Sequence, residues 1–203
     1  KQAYNDVYDG TDVHSYTANV IGCTRQQAKA HTFKPLYGGT TGTDAQKRYY
    51  RAFKEKYEDI TMWHGELQRN AVKYKKIRLP SGREYMFPGC KWTEWGTATN
   101  RTAICNYPVQ GFATADLLPM ALVSLQKTIT DANIRSVICN TVHDSIVMDV
   151  HPEEKDTCID ILKHAMLSLP FETIQRYGLT YDMPVGIEIK MGKNWLDLEE
   201  VIL

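Results

Sequence analysis

The segment Ile138 to Val150, ICNTVHDSIVMDV, sets two runs rich in β-branched and apolar residues on either side of a His-Asp pair, His143 and Asp144. Val, Ile and Thr favour extended backbone because their branched Cβ packs well on a pleated surface, so the runs predict two strands that meet near the pair. With helical patterns before and after it, this hairpin constrains the chain to a mixed α+β architecture. An acid at such a bend is a candidate metal ligand, since hard divalent cations take carboxylate oxygens held on rigid backbone. Asp is also common at ordinary hairpin corners, where its side chain bonds nearby backbone. On these residues alone the ordinary corner is the simpler account.

Around the hairpin, periodicity supplies the other elements. Thr43 to Gln46 fits the S/T-x-x-Q capping box, and Tyr49, Phe53, Tyr57, Ile60, Trp63 and Leu67 follow at helical spacing. One long amphipathic helix is therefore predicted from about residue 44 to about residue 72, its aromatic stripe facing a core. In KKIRLPSGREYMFPG a Pro-Ser-Gly turn separates Ile77 and Leu79 from Tyr85 and Phe87, which predicts a second hairpin. Further helices are predicted at about 112–130, kinked by Pro119, and at about 153–168, where Pro152, Glu153 and Glu154 suit a helix start. A last strand from Val185, VGIEIKM, is predicted to pair beside the His-Asp hairpin. There is no internal repeat, low-complexity tract or Gly/Ser/Pro-rich linker.

At 203 residues and 43% apolar the chain can bury a real core in one domain or two small ones. Its longest apolar runs fall short of the roughly 18 residues of a membrane span, so no membrane partner is expected. No signal peptide opens it, and Lys1 in place of Met suggests a processed or truncated product. The five cysteines are odd in number, spread out and never in a CxxC pair, which argues against a disulfide framework or a zinc knuckle. A reducing, cytoplasmic setting is expected. The zero net charge hides an asymmetry: Arg25 to Arg101 carries 16 Lys and Arg against 7 Asp and Glu, a balance of +9, which leaves −9 for the remainder. A phosphate-binding surface beside a cation-binding surface has this pattern, and so does a solvated helical face.

The most informative segment is RQQAKAHTFKPLYGG, Arg25 to Gly39. Arg25, Lys29, Phe33 and Tyr37 recur every four residues and so form one slowly spiralling stripe on a helix. Arg grips phosphate with a fork and Lys as a point charge, while an aromatic ring one turn on stacks against a sugar or base. Such a stripe can hold a nucleoside triphosphate lengthwise. Gly38 and Gly39 supply the helix stop.

The pattern R-x3-K-x3-F-x3-Y-G resembles the nucleotide-binding helix of family A DNA polymerases, the group of bacterial DNA polymerase I and phage replicative enzymes. Other segments agree in the same order. TDVHSYTA around His14 resembles the segment whose His contacts the incoming nucleotide's phosphates, and NYPVQGFATAD, Asn106 to Asp116, resembles the one that reads the primer-template minor groove through an Asn and a Gln. VHDS resembles the catalytic motif whose Asp binds metal and whose His lies by the primer end, and MGKNW, Met191 to Trp195, resembles the end of the polymerase domain. The short spacing after His14 and the phrase NYPVQGFAT lean towards phage enzymes.

The resemblance implies a helical fingers subdomain at 1–100 and the C-terminal part of an antiparallel-sheet palm at 101–203. It implies nucleotidyl transfer of dNTPs to a primer 3′ end with two Mg²⁺ ions about 3.5 to 4 Å apart. By the same resemblance Asp144 ligates metal, His143 orders the primer terminus, and His14, Arg25 and Lys29 hold the triphosphate. Phe33 packs on the sugar, Tyr37 guards the template-base pocket, and Asn106 and Gln110 touch minor-groove acceptors shared by all pairs. Primer-template DNA and dNTPs are the implied partners, with a processivity factor as a further candidate.

Several departures bear on activity. The family's D-Y-S-x-x-E-like strand, which carries a partner Asp, has no counterpart here, so the chain is expected to be cut off after that strand, without a thumb and inactive alone. Ser145 stands where Glu is often found, Asp149 is too far along the strand to replace it, and Pro35 is expected to kink the nucleotide helix before Tyr37. Arg101 is one place off an Arg expected where Thr102 stands. Two other readings remain: a non-catalytic nucleic-acid-binding piece, and a metal-dependent phosphohydrolase built on His143 and Asp144, which the flanking β-branched runs oppose.

Overall fold

The computed structural model describes residues 5–6, 9–10, 12–180 and 185–202. Thr11, in the segment around His14, lies outside them. The chain forms two compact units, Lys1–Gly111 and Phe112–Leu203, and each combines helices with small antiparallel hairpins, as the α+β expectation requires.

In the first unit α1 (Val13–Ile21), α2 (Arg25–Leu36) and α3 (Asp44–Lys56) are set by their caps. Asp12 accepts from the His14 and Ser15 amides at the start of α1, and Gly22 closes it at φ 76°. Thr24 with Gln27 and Thr43 with Gln46 form complete capping boxes before α2 and α3, satisfying amides that would otherwise lack partners.

The long helix expected from 44 to 72 is two helices, α3 and α4 (Glu58–Tyr74), separated at Tyr57 with φ −115° and ψ 61°. Of the expected stripe Tyr49, Phe53, Tyr57 and Leu67 are buried, the first three clustering with Tyr50, but Trp63 is 37% exposed and does not face a core. The break arises because Tyr57 is anchored twice, its ring against Phe53 at 4.6 Å and its hydroxyl donating to Asp6 at 2.6 Å. Glu58 and Asp59 then suit the new N-terminus through the helix dipole.

The second predicted hairpin forms as β1 (Lys76–Arg78) and β2 (Glu84–Met86), with Ile77 opposite Tyr85. Ile77 and Phe87 pack with Leu67 and Ala71 of α4 and with Ile104 of α5 (Arg101–Gly111).

The second unit begins with a π-helical turn, Phe112–Leu117, followed by α6 (Leu118–Asp131). Pro119 sits in the first turn of α6, directly after the wide π turn of Phe112–Leu117. By length and composition alone the helical run Arg101–Asp131 could cross a membrane, a length the apolar runs of the sequence did not suggest. Its Ile104, Cys105, Met120, Ala121 and Leu125 are buried in protein cores.

Strands β3 (Val137–Val142) and β4 (Ser145–Asp149) form the His-Asp hairpin, with a register shift between Ile138 and Asn140. Its inner face meets α6 and α7 (Lys155–Leu167) through Ile138, Ile146 and Met148. Glu154, in a 3-10 turn before α7, accepts from the Ser136 hydroxyl at 2.7 Å and from the Arg135 and Ser136 amides at 3.0 and 2.9 Å, which pins the start of β3. Helix α8 (Leu169–Tyr177) follows. The last strand is shorter than expected and pairs elsewhere: β5 (Ile189–Met191) joins β6 (Glu199–Val201) in a separate hairpin. Gly192 permits that pairing, since a Cβ there would lie 2.1 Å from the Asp197 carbonyl oxygen.

Candidate functional site

The first unit gathers much of the predicted nucleotide face. Arg25 opens α2, Lys29 and Phe33 follow, and Tyr37 caps its end. Pro35 lies in the last turn of α2, which runs to Leu36, and the Tyr37 amide donates to the Phe33 carbonyl at 3.0 Å. The Phe33 and Tyr37 rings stack, with centroids 6.2 Å apart and planes 16° from parallel. His14, from α1, meets Phe33 edge-on at 5.4 Å. Phe33 remains 43% exposed, an unusual state for a ring that served only a core. Lys29 is exposed as well.

His14 is held by a buried chain of hydroxyls that the sequence alone does not reveal. Its Nδ1 lies 3.1 Å from Thr32 Oγ1, which donates to Thr17 Oγ1 at 2.8 Å, and Thr17 in turn meets the Tyr49 hydroxyl at 2.7 Å. A threonine has one proton to give, and Thr32 gives it to Thr17 or to the Ala28 carbonyl at 3.0 Å. With the Thr32 proton so placed, the tautomer that fits the network carries a proton on His14 Nδ1, donated to Thr32; the alternative tautomer accepts the Thr32 proton instead. In the first of these Nε2 of His14 is an acceptor in the neutral ring and donates to a phosphate oxygen only as imidazolium.

Arg25 is engaged by a residue that the motif did not mark. Its Nε donates to Asp12 Oδ2 at 2.8 Å while Asp12 also caps α1. The Arg25 hydrogen bond, followed by those from Ser15, holds the Asp12 carboxyl well below the usual carboxylate range, and Asp12 raises the Arg25 guanidinium in return. Both side chains are about half exposed, so water screens the pair. The sequence signal was present: an Asp immediately before an apolar helical run is an N-cap.

Asn106 and Gln110 lie one turn apart on α5. Gln110 donates to the Tyr37 hydroxyl at 2.9 Å, which links the predicted minor-groove residue to the predicted template-pocket residue. The Asn106 side-chain oxygen is buried without a partner.

In the second unit His143 and Asp144 form the two-residue corner between β3 and β4, and both are exposed. His143 has φ 55°, a left-handed conformation that usually falls to glycine at the first position of such a turn. Ser145 Oγ donates to the Val142 carbonyl at 2.8 Å, bracing the corner. Among the described residues no group of three or more His, Cys, Asp or Glu is placed to hold a metal ion.

A sequence model of DNA polymerase family A matches residues 1–197. DNA polymerase I of Lactococcus lactis subsp. cremoris is 28% identical over 210 residues, covering 93% of this chain and 23% of that protein. The DNA polymerase of Bacillus phage SP01 is 25% identical over 168 residues, covering 82% of this chain and 18% of its own length. In fold the chain is similar to the POL domain of Pol1 from M. smegmatis, solved in complex with DNA primer-template and dNTP, with a TM-score of 0.63 and 23% identity over 79% of this chain and 32% of that one. The chain thus spans about a quarter of the length of the curated bacterial relatives it matches.

Proposed function

Because this chain belongs to the family A DNA polymerases, we propose that it supplies the nucleotide-holding helix and one metal-binding carboxylate for template-directed transfer of dNTPs to a primer 3′ end. The observation that carries this reading is the face of α2: cations at its start, the stacked Phe33 and Tyr37 at its end, and His14 against Phe33. In this reading Arg25, Lys29 and protonated His14 hold the triphosphate, Phe33 bears on the sugar, and Tyr37 guards the template base. Asn106, Gln110 and His143 meet the primer-template. The segment 1–100 acts as fingers and 101–203 as part of a palm, in a cytoplasmic replication setting, and a processivity factor is a further candidate partner.

Two Mg²⁺ ions are what the family resemblance implies. The described residues do not fit a two-ion site by themselves, because Asp144 belongs to no group of three or more His, Cys, Asp or Glu placed to hold a metal ion. Asp144 is proposed as one ligand, and binding and orientation are the work left to this chain. The non-catalytic nucleic-acid-binding reading stays as the alternative on the same observation.

Titration calorimetry of a dNTP into the 203-residue chain tests the proposal. Arg25→Ala and Lys29→Ala each remove a charge-assisted contact of roughly 1.5 to 3 kcal/mol, so affinity should fall at least about tenfold. Unchanged binding in both variants returns the stripe to a surface helix. The same chain should not extend a primer, and extension abolished by Asp144→Ala would show that the missing acid is present after all.

A further inference from the structure

The hydroxyl cluster behind His14 has more acceptors than protons to give them. Thr17 Oγ1 donates to the Val13 carbonyl at 2.7 Å, and Thr32 Oγ1 has two acceptors in reach, Thr17 Oγ1 at 2.8 Å and the Ala28 carbonyl at 3.0 Å. A hydroxyl carries one proton and a carbonyl none. The Tyr49 hydroxyl, 2.7 Å from Thr17, is therefore the donor in that pair, because the Thr17 proton is already placed on Val13. Burial raises the Tyr49 hydroxyl above its ordinary value, so its proton stays available. Thr17, Thr32 and Tyr49 are all buried, and bulk water does not make up the shortfall.

His14 Nδ1, 3.1 Å from Thr32 Oγ1, is the remaining source of a proton within this cluster. If Nδ1 donates, Thr32 accepts from it and passes its own proton to Thr17 or to Ala28. If Nδ1 instead accepts, Thr32 must turn its proton away from both, and the cluster contains one hydrogen bond fewer. Giving up a buried hydrogen bond is a net loss, which favours the ring with its proton on Nδ1. The two nitrogens lie on different edges of the imidazole, so Nε2 is left away from Thr32, without a partner among the described residues, on a ring that meets the 43% exposed Phe33 at 5.4 Å. In the neutral ring of that form Nε2 offers a lone pair, which repels a phosphate oxygen.

We propose that Thr32 is a positioning residue that couples capture of the triphosphate to uptake of one proton by His14, an inference that rests on the reading of His14 as a triphosphate ligand. The proton comes from solvent and forms the Nε2–H bond, and no other covalent bond is made or broken. The imidazolium then donates through Nδ1 to Thr32 and through Nε2 to phosphate. Without the Thr32 hydroxyl, the neutral ring can carry its proton on Nε2 and meet phosphate with no uptake. The charged groups around the ring do not involve that hydroxyl. Asp12 and Arg25 pair with each other at 2.8 Å, Lys29 stands exposed on α2, and Lys56 of α3 is held by Asp6 at 2.6 Å and lies 5.1 Å from the Tyr16 ring centre.

Calorimetry of a dNTP binding to the 203-residue chain, in buffers of different ionisation enthalpy, counts the protons taken up. At about pH 7.5 the unaltered chain should take up more than Thr32→Val, by up to about one proton per dNTP, and its affinity should rise more steeply as pH falls, by up to about tenfold per pH unit. The nucleotide's own titration is common to both and cancels in the difference. Thr32→Ser keeps the hydroxyl and should restore the uptake, which separates the hydroxyl from a loss of packing. ¹⁵N NMR of the chain without nucleotide gives the second readout: at about pH 8 the His14 proton should sit on Nδ1 in the unaltered chain and in Thr32→Ser, and move to Nε2 in Thr32→Val. A proton on Nε2 in the unaltered chain, or equal uptake with and without the Thr32 hydroxyl, overturns the coupling and leaves the nucleotide reading standing. No dNTP binding, or binding that Arg25→Ala and Lys29→Ala leave unchanged, refutes the nucleotide reading and the coupling with it.

Discussion

Replacing His143 by Gly and, separately, by Ala isolates a strain stored at the corner of the β3–β4 hairpin. His143 holds φ 55°. A residue with a Cβ pays roughly 1–2 kcal/mol in that region, and glycine gives back about 0.5–1 kcal/mol through the greater freedom of its unfolded chain. His143→Gly should therefore stabilise the hairpin by roughly 0.5–1 kcal/mol. His143→Ala keeps the Cβ and so keeps the strain, and because the imidazole is exposed and has no hydrogen bond, the change should stay within about 0.5 kcal/mol of zero. Native-state amide exchange across β3 and β4 reads the local opening free energy directly, without treating the two units as one transition. Equal protection in the two variants would hold the strain to the roughly 0.5–1 kcal/mol that glycine's freedom costs, and lower protection in the Gly variant would show that no strain resides there. If His143 also orders a primer end, both variants should slow catalysis in a polymerase that contains the upstream segment. The more stable Gly protein would then be an impaired enzyme, the pattern expected when strain serves a site.

Glu154 predicts an acid limit: the Ser136 hydroxyl, with backbone amides of Arg135 and Ser136, holds its carboxyl down to about 2. Because the folded state resists protonation, this contribution is full above the ordinary value of 4.5 and is lost as pH falls through about 2, so Glu154→Gln should flatten the acid-unfolding profile in that window. Asp12→Asn should tighten dNTP binding in calorimetry, since Asn still caps α1 but no longer competes with phosphate for Arg25; weaker binding would mean that Asp12 orients Arg25 rather than occupying it. Phe33→Tyr, in a polymerase with the upstream segment, should raise the ratio of dideoxy to deoxy incorporation by restoring a hydrogen bond of about 1–3 kcal/mol, and an unchanged ratio would show that Phe33 does not face the sugar.

What could be read in advance follows from how local each cause is. The capping box at Thr43, the Ile77–Tyr85 hairpin and the turn at His143 and Asp144 depend on neighbours a few residues away, and all were legible. The break at Tyr57 was not, because Asp6 lies 51 residues from it in sequence. The same holds for the Thr32 hydroxyl under His14 and for the pairing of β5 with β6 rather than with the hairpin. At the candidate site, the fourfold spacing of Arg25, Lys29, Phe33 and Tyr37 marks a face of α2, but spacing cannot show that Asp12 already grips Arg25.

Strand β3 has a further consequence for handling the protein. VICNTV carries no charge and no proline, Val137 and Val142 are 52% and 37% exposed, and among the described residues the strand pairs only with β4. Its outer row of amides and carbonyls is a template for any other extended backbone, with only the register shift near Cys139 to blunt it. At high concentration the most available such backbone is β3 of another copy. The β3 edge is thus one place where copies of the isolated chain can pair, and a lysine at the exposed Val137 position is a small change that would protect it.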